Sequence, residues 1–127
     1  ASMSKPTASI VLGGGHSIGV PLAVSADRSF IVPSATMTIH PVRTSGVTLG
    51  VPQAFDYLTK MQNRIVDFIV KHSSISKDEF NRMMTRTDLL VNDIGTILTG
   101  MEAVECGLID EIGGISEALH YLKKQNK

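Results

Sequence analysis

Short apolar runs bounded by glycine or proline alternate along this chain with longer stretches in which apolar residues recur every three or four positions. Thr7 to Leu12, closed by Pro6 and Gly13 and carrying Ile10 and Val11, predicts a buried strand. Residues 17–26 predict a helix that is apolar over most of its surface through Val20, Leu22, Ala23 and Val24. Ser29 to Val32 and Ala35 to Ile39 predict two further strands, separated by a turn at Pro33-Ser34. An exposed connector from Arg43 to Gly50 leads into a long helix from Pro52 to His72. Pro52 suits its first turn, and Val51, Phe55, Leu58, Ile65, Phe68 and Ile69 fall on one stripe.

Two capping boxes mark later helices. Ser76 with Glu79 opens a helix holding Phe80, Met83 and Met84, and Thr99 with Glu102 opens a shorter one ending at Gly107. Leu108 to Ile112 reads as a final strand, closed by Gly113-Gly114, with a C-terminal helix from about Ser116. Strands alternating with helices give an α/β class. At the other end, Ala1 to Lys5 reads as a helix tail broken before Pro6, because proline pushes its predecessor out of the helical region. Residues 1–127 are therefore expected to form one domain whose N-terminal portion is missing.

Composition narrows the function. With 127 residues, 43% of them hydrophobic, the chain can bury one core but not two. Twelve basic and twelve acidic residues are scattered to a net charge of zero, which leaves no footprint for nucleic acid or an anionic membrane. Cys106 is the single cysteine, so no internal disulfide and no paired Cys/His metal spacing exists, and a cytoplasmic setting without cofactors is expected. No apolar run approaches the roughly 20 residues of a membrane span.

Gly13-Gly14-Gly15-His16-Ser17-Ile18-Gly19 puts a serine where a strand passes into a helix. Serine is a weak nucleophile unless a turn exposes it beside a base and near backbone N–H groups that receive an oxyanion. Ser17 is thus either a nucleophile, with the Ile18 amide as oxyanion donor, or a plain helix cap. His40, ending the next apolar segment, is either its general base or a half-buried structural histidine. Asp93 is the best-placed acid to orient an imidazole, with Asp88 and Asp110 as alternatives to an ordinary loop aspartate. His16, His72 and His120 read as surface residues. The match of residues 15–19 to a G-x-S-x-G elbow carries little, because that fold needs its acid and then its histidine after the serine.

The runs from Gly13 to Ala23, from Met37 to Pro41 and from Glu102 to Asp110 together resemble the Clp-type (caseinolytic) serine peptidase family, in its translocation-enhancing branch. The likeness extends from Lys5 to about Leu119. It implies a crotonase-like spiral of β-β-α units, a nucleophile at Ser17 and a base at His40. It also implies peptide or unfolded-protein substrates, a homo-oligomer built through the helix of residues 52–72, and a part in preprotein export, as by digestion of signal peptides. The family's aspartate falls on Gly95, where this chain has no carboxylate, and its second oxyanion donor lies on an earlier strand that this chain lacks. Two other readings stay open: a catalytically impaired scaffold, and an acyl-CoA enzyme of the crotonase type. The second is weakened because residues 13–24 contain no Asp or Glu to move protons.

Overall fold

The computed structural model describes residues 1–43, 52–87 and 94–126. Among them the elements run β1 (Ala8–Val11), β2 (Gly14–His16), α1 (Gly19–Val24), β3 (Arg28–Ile31), β4 (Thr36–Ile39), α2 (Pro52–Lys71), α3 (Lys77–Met84), β5 (Thr96–Thr99), α4 (Gly100–Glu105), β6 (Glu111–Ile112) and α5 (Ile115–Gln125). The strands form two sheets. One has the order β1-β3-β6 and is parallel throughout; the other has the order β2-β4-β5, with β2 and β4 parallel and β5 antiparallel. Successive strand pairs are therefore split between layers, β1 and β3 in one sheet, β2 and β4 in the other. The result is a mixed α/β domain.

The core lies between these sheets and the helices. Ile31, Met37 and Ile39 are wholly buried, and Val20 and Val24 of α1, Val66 and Ile69 of α2, and Phe80 and Met84 of α3 close over them. Each such side chain stabilises the fold by roughly 1.5–3 kcal/mol relative to exposure. The capping boxes form as the sequence predicts: Ser76 Oγ accepts from the Glu79 N–H, and Thr99 exchanges both bonds with Glu102. Pro21 is tolerated because it stands in the first turn of α1, where no intrahelical donor is required.

Several expectations change. Residues 1–7 hold no helix. The glycine run is not merely a turn but contains β2, and Thr96–Thr99, unassigned in the sequence, is β5. The last strand shrinks to two residues, because Leu108 and Ile109 reach the core from the turn after α4 instead of from a ladder. On α2, Phe55 is 71% exposed, so the stripe reaches the core only further along the helix; Leu22 of α1 is likewise exposed. The connector from Arg43 to Gly50 lies, beyond Arg43 itself, outside the described residues.

Candidate active site

Strand pairing brings the chemistry together. β2 and β4 run parallel in the register Gly14↔Thr36, Gly15↔Met37 and His16↔Thr38, so Ser17 and His40 leave neighbouring strands at the same carboxyl-terminal edge. In open α/β sheets that edge is where ligands bind. The sharp turn is made by Ser17 itself, with φ +54°, and among the described residues no other non-glycine has a positive φ. The left-handed region costs an L-residue roughly 1–2 kcal/mol, so the surrounding structure must hold Ser17 there. Two of the glycines before it serve packing: a Cβ on Gly14 would run into the His16 ring, and one on Gly15 would crowd Met37 and Val11.

Ser17 is not a cap. Ile18 occupies the N-cap position of α1 with no side-chain cap bond, while the Ser17 carbonyl accepts from the Val20 N–H at 3.1 Å. Ser17 lines a cavity of about 210 Å³ whose lining also includes His40, Val20, Ile65, Ile69 and Met84. His40 Nδ1 lies 2.7 Å from the Pro41 carbonyl oxygen. The N–H of the same peptide unit, Val42 N–H, donates to Gln62 Oε1 of α2 at 3.1 Å. Among the described residues no hydrogen bond joins Ser17 to His40, although both line one cavity. An apolar pocket with a hydroxyl and an imidazole at its rim could seat a hydrophobic side chain and present the adjoining carbonyl to the serine.

The model of the Clp protease family matches residues 1–116. The chain belongs to the Clp protease family. It is 58% identical over 122 residues to the translocation-enhancing protein TepA of Halalkalibacterium halodurans, an alignment that covers 96% of this chain and 48% of that protein. The chain thus spans about half the length of the curated relative it matches.

For a Clp-family chain the acid is the open position. Gly95 stands against His40, at φ +145°, and a Cβ there would press into the Ile39 carbonyl oxygen and lie 3.1 Å from His40 Cβ. Asp110 is no candidate: its Oδ2 accepts from the Ser29 N–H at 2.9 Å and the Ser29 hydroxyl at 3.1 Å, which ties it to β3 in the other sheet. Asp93 and Asp88 lie outside the described residues. The other histidines lie outside this cavity. His16 Nδ1 meets Thr38 Oγ1 at 2.6 Å, His72 stacks on Phe68, and His120 is exposed on α5. Cys106 is half-buried, and desolvation pushes its thiol up, away from the reactive thiolate.

Gln62 is the polar residue that sequence reasoning passed over. It sits four positions from Leu58 and from Val66 on the inward side of α2, and an amide on an otherwise apolar helical face was the available signal. Among the described residues no group of three His, Cys, Asp or Glu converges to hold a metal ion, and no helix is long and apolar enough to cross a membrane.

Proposed function

We propose that this chain carries the acylating centre of a serine endopeptidase, with Ser17 as nucleophile, His40 as general base and the Ile18 amide as oxyanion donor. The observation that carries this is the pair itself: a serine in left-handed backbone, free of any capping bond, at the rim of the same cavity as an imidazole whose Nδ1 is engaged. Nε2 of His40 takes the Ser17 proton as Oγ attacks the peptide carbonyl, and returns it to the departing amine. Water then cleaves the ester by the reverse of these roles. The Ile18 N–H, without an acceptor among the described residues, stands at the N-cap of α1 and suits the developing oxyanion.

The apolar walls of the cavity favour substrates with a hydrophobic side chain at the cleaved bond, which fits peptides of the signal-sequence kind. The name of the TepA relative supports placing that activity beside preprotein export. Phe55 and Tyr57, 71% and 63% exposed on α2, support assembly of identical subunits through this helix. Splitting consecutive strands between two layers agrees with the crotonase-like spiral that the sequence resemblance implies.

A second reading, a scaffold that keeps the fold without turnover, is favoured by one fact: Ser17 and His40 are not hydrogen-bonded. A fluorophosphonate probe applied to the full-length protein separates the two. Labelling that disappears in Ser17→Ala identifies the peptidase; wild-type protein that never labels identifies the scaffold.

A further inference from the structure

We propose that His40 is oriented by a relay through the main chain, Gln62 to the Pro41–Val42 peptide to the imidazole, in the place where a serine peptidase ordinarily uses a carboxylate. The proposal rests on the Ser17–His40 reading above and adds Gln62 to it as a positioning residue.

Donor and acceptor rules fix the direction of the relay. A carbonyl oxygen only accepts, so at 2.7 Å from the Pro41 oxygen Nδ1 must carry the proton, and Nε2 is left with its lone pair. That is the tautomer a general base at Nε2 requires. A neutral dipole holds this ring only if it is itself held, and the opposite end of the same peptide plane is: Val42 N–H donates to Gln62 Oε1 at 3.1 Å. An amide that donates through its N–H becomes a stronger acceptor at its C=O, so the two bonds reinforce each other. Gln62 stands on α2, the 20-residue helix whose Val66 and Ile69 are buried in the core, so the relay is anchored to a rigid element.

Two alternatives among the described residues are closed by geometry. No L-side chain fits at position 95, where φ is +145° and a Cβ would enter the Ile39 carbonyl. Asp110 is committed to Ser29. Among the described residues His40 has no carboxylate partner. The chemical consequence is a base with its tautomer and direction set, but with a dipole instead of a full negative charge to stabilise the imidazolium.

The test uses the full-length protein and the second-order rate of modification by a small fluorophosphonate. Gln62→Leu removes the acceptor and is expected to slow modification by about 10- to 100-fold, the scale of a misplaced catalytic group. Gln62→Glu, which keeps an acceptor oxygen, should recover to within about tenfold of wild type, and Asp93→Asn should stay within the same margin, whereas a carboxylate-dependent triad would lose about 10⁴-fold. Nitrogen-15 spectra of the neutral imidazole should give the Nδ1–H tautomer for His40 in wild type and in Asp93→Asn, with mixed tautomers in Gln62→Leu. A wild-type rate in Gln62→Leu, a loss beyond about tenfold in Asp93→Asn, or an Nε2–H tautomer in wild type would overturn the relay. Failure of the wild-type protein to label would end the peptidase reading instead, and the tautomer spectrum would still decide who holds the ring.

Discussion

The two sheets of this domain end differently. In β1-β3-β6 every strand is parallel, and the polar groups at its end close on one another: the Ser29 N–H and hydroxyl both donate to Asp110, and the Asp110 N–H donates back to Ser29 Oγ at 3.0 Å. In β2-β4-β5 the ends carry Ser17 at φ +54°, Gly95 at φ +145°, and an imidazole bonded to a neighbouring peptide. Positive-φ backbone gathers at the ends of one sheet, and a reciprocal serine–aspartate pair closes the end of the other. Strained conformations persist only where surrounding structure over-determines them, and their clustering beside a cavity is a pointer to function. A serine is therefore bonded to an aspartate in one layer, while Ser17 in the other spends no side-chain bond on capping its helix.

That contrast can be broken from either side. The largest effect on folding should come from Phe30→Ala in β3. Phe30 is 2% exposed and its ring lies 6.4 Å from that of Tyr121, so truncation is expected to remove about 3–5 kcal/mol in denaturant titration. The folded fraction should still label at Ser17. Ser29→Ala is next, expected to lose about 1–3 kcal/mol by removing the hydroxyl that donates to the Asp110 carboxylate and accepts from the Asp110 N–H, while the N–H of residue 29 keeps its bond, again with labelling of the folded protein intact. The smallest effect has the opposite sign: Ser17→Gly should raise stability by up to about 1 kcal/mol, because glycine accepts φ +54° without a Cβ clash, while abolishing labelling. A destabilised Ser17→Gly, or a Ser29→Ala protein that folds but no longer labels, would erase the division between the sheets.

Most of the scaffold was legible because its signals are carried by side chains. Ser76 and Thr99 announce helices through their caps, and the core residues of α2 repeat at helical spacing. β2 was not legible as a strand, since glycines display no alternation. β5 was hidden for a different reason. It turns Thr96 and Leu98 inward and Ile97 outward, so its burial does not follow hydrophobicity; Thr96 is kept inside by donating to the Met83 carbonyl at 2.6 Å. The Ser17–His40 pair could be anticipated from a strand-to-helix junction and a strand end. That the turn strain falls on Ser17 and not on the glycines, and that the imidazole finds a main-chain partner, depends on register and packing that no local pattern encodes. Asp93, the acid the sequence nominates, lies outside the described residues.

The most direct test of the central claim, that Ser17 and His40 act on one carbonyl, is reaction of the full-length protein with a peptide chloromethyl ketone bearing an apolar side chain, followed by mass mapping. The serine hydroxyl adds to the ketone and the imidazole displaces chloride, so alkylation of His40 is predicted, and it should vanish in Ser17→Ala. Alkylation of His40 that proceeds equally without Ser17, or that falls on His16 or His120 instead, would contradict the account.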